Sequence, residues 1–235
     1  MDEILLELDW ERIGVGIKET LFMVSWSVIL TILIGIPLGV LLFLTSRRDR
    51  IKNRLASRLL RVLNMILGWI VQIGVMVNIL RSIPFVILII LMFPITKLII
   101  GTTIGTSAAI PALVVGTAPF FARIVETALR EVDRGVIEAA ESMGANRLTI
   151  IWKVLLHESM PAIVSGITIT SVALVGYTAI AGIVGAGGLG YLAYRFGFQA
   201  FNKPMMFTIT AIIILMVQAI QMIGDYAVKR IDKRT

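Results

Sequence analysis

Residues able to do covalent chemistry are scarce in this sequence. Its 235 residues include one histidine and no cysteine. That removes thiol catalysis, disulfides and cysteine-based metal sites. His157 has no HExxH pattern around it, so a zinc site lacks its ligands. No GxxxxGK(S/T) phosphate loop occurs, and the chain has no ATP site of that kind. Gly185-Ala186-Gly187-Gly188-Leu189-Gly190 contains GxGxxG. A dinucleotide site also needs a βαβ unit and an acidic residue about 20 positions on, and neither accompanies it. An intramembrane enzyme would need a Ser–His or paired-Asp constellation inside the apolar stretches, and none is there. What remains is the chemistry of contact. Asn78 and Arg81 stand one turn before Pro84, and Tyr177 is the one bulky polar group in a stretch of small residues. Polar groups at such depth line a cavity or hold helices together. For Arg81, snorkelling to the interface is the competing reading.

The longest polar interruption in the second half of the chain runs from Val132 to Asn146. It reads as a short helix with Asp133 as N-cap and Arg134 and Glu138 paired at i,i+4. Val136, Ile137, Ala140 and Met143 form an apolar face at helical spacing. Gly144 stops the helix where φ > 0 is wanted. Asn146 can cap a second helix, 147–156, with Leu148, Ile151, Trp152 and Leu155 along one side. The small residues Ala139 and Ala140 and the rim charges suit docking into a groove on a partner. A solvated helix without a partner fits the composition equally well.

The elements that position these residues are membrane spans. The chain is 57% hydrophobic and 16% charged, against about a quarter charged in soluble domains. Its net charge of +7 reflects basic clusters beside spans rather than a nucleic-acid surface. Five spans are predicted, near Thr20–Leu44, Trp69–Leu98, Ala108–Leu129, Pro161–Val184 and Pro204–Ile223. Gly35, Pro37 and Gly39 permit close helix contact in the first. Pro84 kinks the second. The fourth, rich in Gly, Ala, Ser and Thr, belongs in the centre of a bundle or at a subunit interface. The acidic start, residues 1–19, reads as an exposed helix and not as a cleaved signal. Arg47 to Arg61 reads as a basic amphipathic helix in the membrane interface. Gly185–Gly190 reads as a flexible turn, and residues 229–235 as a basic tail. Placing Arg47–Arg61, the Val132–Asn146 knuckle and the tail inside gives five spans, with the N-terminus outside and the C-terminus inside. Splitting the second span at Pro84 would expel one of the basic or polar segments, and the charge rule opposes it.

Glu138-Ala139-Ala140, then Gly144, Val154 and Leu156, resembles the EAA loop of ABC importer permease subunits. Arg81-Ser82-Ile83-Pro84-Phe85, Gly176-Tyr177 and Gly185–Gly190 are similar to segments of the methionine-importer permeases within that family. The likeness spans roughly Lys18 to Lys229. His157 stands where the family usually has Pro, and the length around Ser57 to Gly68 exceeds the usual pattern. The resemblance implies an all-α, five-span type I importer permease, with a permease domain over residues 20–228 and coupling helices near 133–156. It implies that Glu138, Ala139, Ala140, Gly144, Val154 and Leu156 couple to an ATPase. It makes Asn78, Arg81, Pro84 and Tyr177 candidates for the translocation path or gate. It implies a second copy of the chain, two ATPase subunits carrying ATP and Mg, and an external binding protein, in the cytoplasmic membrane of a bacterium. No cofactor or metal is expected in the chain itself, and nucleic acid is not an expected partner.

Methionine, as the L- or D-isomer, is the cargo this likeness implies. Another small amino acid, a methionine derivative or a dipeptide is the alternative within the class. An ion-coupled secondary transporter would need acidic groups within the spans, and the span middles carry none.

Overall fold

The computed structural model of the protein describes residues 9–46 and 74–232. The start of the acidic segment, the basic Arg47–Arg61 helix, the extra length at Ser57–Gly68, the beginning of span two at Trp69 and the last three residues lie outside the described residues. Among the described residues all regular structure is helical, as an apolar chain that must satisfy its backbone in lipid requires.

Helix α1, Trp10–Ser46, has 37 residues and a length of about 55 Å. That exceeds the ~30 Å hydrocarbon layer. The helix starts well ahead of the expected first span and incorporates the second half of the expected exposed segment. Asp9 caps it, its Oδ1 accepting from the Arg12 amide at 3.0 Å. Helix α2, Gly74–Ser82, and helix α3, Phe85–Ile100, meet in a 115° bend. Pro84 does more than kink a continuous helix here. It stands at the N-cap of α3, and a residue before Pro is driven out of helical geometry. Counted as one broken span, the pair brings the helices able to cross a membrane to five. Helix α4 is Thr106–Arg130 and α5 is Arg134–Ser142.

Residues 147–158 form α6, whose middle, Ile150–Leu155, is π-helical. Helix α7, Met160–Ala181, runs into a kinked turn at Gly182–Ala186, where Val184 and Gly185, the latter at φ +101°, leave helical geometry. Helix α8, Gly188–Leu192, runs into a π-helical stretch at Ala193–Gln199. Helix α9, Lys203–Ile231, absorbs Lys229 and Arg230 of the expected tail into its last turn.

The chain divides into two compact units. The first comprises the described parts of Met1–Thr31, Ile83–Thr117 and Thr168–Ile223; the second, those of Ile32–Ser82, Ala118–Ile167 and Gly224–Thr235. In the first unit, Gly105 donates its amide to the Gly185 carbonyl at 2.9 Å. The Gly188 amide donates to Glu19 at 2.6 Å and the Leu189 amide to the Thr20 hydroxyl at 2.9 Å. Residues 19–20 of α1, the turn after α3 and the glycine loop therefore meet in that unit. The glycine loop is not the free turn expected: Gly188, Leu189 and Gly190 are buried. A Cβ on Gly190 would lie 2.3 Å from the Cα of Ala179. Ile13, Leu189, Leu192, Met205 and Ile209 form the adjoining core. The Thr31 and Thr117 hydroxyls, both buried, bond at 2.8 Å and hold α1 to α4.

In the second unit, Gly35 and Gly39 let α1 reach α4: Cβ atoms there would meet Phe121 at 2.6 Å and the Ala122 carbonyl at 2.7 Å. Phe121, Val125, Leu129, Ile137, Ala140, Ile150, Ile151, Leu155 and Ile163 lie in one core.

Candidate functional site

The knuckle is α5, the Gly144 turn and α6. The Asp133 carboxylate accepts from the Gly135 amide at 2.7 Å, and the Asn146 side chain accepts from the Thr149 amide at 2.8 Å, so both expected caps form. Gly144 has φ +78°, the left-handed turn that glycine takes without strain. The expected apolar faces are only half realised. On α5, Ile137 and Ala140 are buried, whereas Val136 is 38% and Met143 82% exposed. On α6, Ile151 and Leu155 are buried, while Leu148 is 68% and Trp152 62% exposed. The π turn explains the second difference. Its i→i+5 register stacks Ile150 on Leu155 and Ile151 on Leu156, and all four are buried. A 3.6-residue template does not find that face.

The six predicted coupling residues therefore do different things. Glu138, Ala139 and Gly144 are exposed. Ala140 and Leu156 are in the core, and Val154 packs against it. His157 is exposed at the end of α6. The chain passes into α7 with a break only at Ser159, whose hydroxyl donates to the Leu155 carbonyl at 2.7 Å. Pro161 falls in the first turn of α7, where a missing N–H costs nothing.

The path candidates separate. Asn78 and Arg81 belong to the second unit, Pro84 and Tyr177 to the first. Asn78 is not an isolated polar group: its Oδ1 accepts from Arg123 at 2.9 Å. Arg123 and Arg130 both pair with Glu126, which is 2% exposed. Two guanidinium partners compensate the burial of that carboxylate. This network ties α2 to α4; from the sequence, Arg123 and Glu126 mark only a span exit. The Arg81 guanidinium lies 5.8 Å from the centre of the Phe120 ring, within cation–π range. The residue is nonetheless exposed. In the first unit, Tyr177 stacks on Phe85, with centroids 4.5 Å apart and planes 6° apart. Pro84, next to Phe85 in sequence, is exposed. Among the described residues no group of acidic or histidine side chains could hold a metal ion.

A bundle of apolar helices that exposes an apolar and polar knuckle has the form of a transport permease. The model for the family described as "Binding-protein-dependent transport system inner membrane component" matches residues 32–235, and the chain belongs to that family. The methionine import system permease protein MetP of Bacillus subtilis is 60% identical over 157 residues, covering 67% of this chain and 71% of MetP. The probable D-methionine transport system permease protein MetI of Vibrio cholerae is 44% identical over 232 residues, 99% of this chain and 94% of that one. A solved structure of the MetNI methionine ABC transporter in inward-facing conformations superposes with a TM-score of 0.84 at 41% identity, covering 95% of this chain and 98% of its counterpart.

Proposed function

We propose that this chain is the membrane permease subunit of an ATP-driven importer of methionine, working as two copies with two cytoplasmic ATPase subunits and an external binding protein. The observation that carries the reading is the exposed face of the knuckle on a bundle whose nearly full length resembles methionine permeases. Val136, Met143, Leu148 and Trp152 leave apolar surface uncovered beside Glu138 and Ala139. Apolar surface grouped in this way, rimmed by polar residues, marks a protein contact. The same knuckle is anchored through Ile137, Ala140, Ile151 and Leu155 into the core that holds α4 and the start of α7. Force applied to its outer face would reach those spans through packed side chains, and close-packed interiors transmit strain rather than absorb it. ATP and Mg would reside on the partner subunit. The chain would alternate between inward-open and outward-open arrangements, and the binding protein would supply most of the selection.

The test is ATP-dependent uptake of labelled methionine into vesicles holding the full complex and its binding protein. Competition by L- or D-methionine but not by leucine or histidine is the expected outcome. Competition by a methionyl dipeptide alone would reassign the cargo. A complex with active ATPase and no uptake would remove the methionine reading.

A further inference from the structure

A cavity of about 430 Å³ opens in the second unit between α2, α4 and the first turn of α7. That volume is within the range of small-molecule sites, about 300–1,000 Å³. Its charged groups are unequal in availability. Arg123 is already paired with Glu126. Arg81 and Glu131 also line the cavity, and neither has an ion-pair partner among the described residues. Arg81 is held over Phe120. Ile124, Ala128 and Ala162 supply an apolar wall. One cavity thus presents an uncommitted cation, an uncommitted anion and an apolar surface.

We propose that this cavity is a transient subsite for a zwitterionic amino acid with an apolar side chain. Arg81 takes the α-carboxylate, Glu131 takes the α-ammonium, and the side chain lies against Ile124, Ala128 and Ala162. The assignment rests on the import function proposed above and names where that cargo pauses within the second unit, the unit that carries the knuckle. Both charged groups are exposed, so each contact is weakened by water, which suits release rather than storage. A charged side chain in that pose would meet the apolar wall of Ile124, Ala128 and Ala162 and lose hydration without a partner.

The chain has no cysteine, so a Thr127→Cys variant of the full complex reports on this cavity by its rate of maleimide alkylation. L-Methionine should slow the labelling roughly tenfold at saturation. Methioninol, without the carboxylate, and 4-(methylthio)butanoate, without the amine, should not. Arg81→Ala should raise the half-protecting concentration about two- to fivefold, the loss expected for one solvent-exposed ion pair. Arg81→Lys should fall between. Glu131→Gln should act like Arg81→Ala and serves if the latter fails to assemble. A Ser142→Cys reporter, exposed on α5, should be indifferent to methionine. Uptake with no protection, equal protection by methioninol, or protection unchanged in both Arg81→Ala and Glu131→Gln would overturn the subsite alone. Protection without uptake would keep the subsite and remove the import function; loss of both would remove both.

Discussion

Glycines that look alike in sequence are separated by what surrounds them. Gly190 is pressed against the α7 backbone, with any Cβ 2.3 Å from the Cα of Ala179. A backbone atom cannot step aside as a side-chain end can. Gly14, inside α1, would place a Cβ with nothing within 4 Å. Gly190→Ala is expected to lower the melting temperature of the purified complex and its yield, with a cost of about 1–3 kcal/mol for overpacking. Gly14→Ala should leave the melting temperature unchanged or raise it by the equivalent of about 0.5–1 kcal/mol, since alanine favours a helix interior. Thermal unfolding in detergent, with equal protein loads, measures both. Equal melting temperatures for the two variants would contradict the close packing at Gly190.

At the scale of the element, the knuckle is a pair of short helices whose angle depends on one residue. Gly144→Val puts a β-branched side chain at φ +78°, a left-handed conformation costing about 1–2 kcal/mol or more for such a residue. The expected result is nucleotide binding by the ATPase at the parental level with transport reduced severalfold. Glu138→Lys reverses an exposed charge and should weaken ATPase retention during purification, more at low salt than at high. Parental transport by both variants at normal membrane levels would exclude the knuckle as the coupling element. Substitution at Ala140 or Leu156 is a different experiment, because both belong to the core and would disturb packing before docking.

At the scale of the molecule, the proposed orientation makes a labelling prediction. Thr102, in the exposed turn after α3, and Ser142 on α5 should lie on opposite sides of the membrane. Thr102→Cys should react with an impermeant maleimide in intact cells, and Ser142→Cys only after permeabilisation. External labelling of Ser142→Cys would invert the topology and with it the coupling role. Helix α9 adds a second feature at this scale. Met205 and Ile209 near its start belong to the core, but much of its remaining apolar length is exposed or only half-buried, a surface that lipid or another chain would cover.

Much of this protein is determined by local features of the sequence. Apolar length against the bilayer thickness specifies the spans, and the two caps at Asp133 and Asn146 form where side-chain chemistry places them. The Glu138-Ala139-Ala140 and Gly144 spacing locates the knuckle, because a short polar helix with a glycine stop is encoded within a dozen residues. Tertiary structure decides what depends on distant partners. The pairing of Asn78 with Arg123 joins positions 45 apart, and the bonds that tie the glycine loop to Glu19 and Thr20 join positions 169 apart. The buried face of α6 follows a π register that no 3.6-residue template contains. Glu126 is taken by Arg123 and Arg130, while Arg81 has no ion-pair partner among the described residues. Periodicity sees neighbours along the chain, but whether a charge is spent, a glycine is crowded or a loop is held depends on side chains that meet only after the helices have packed.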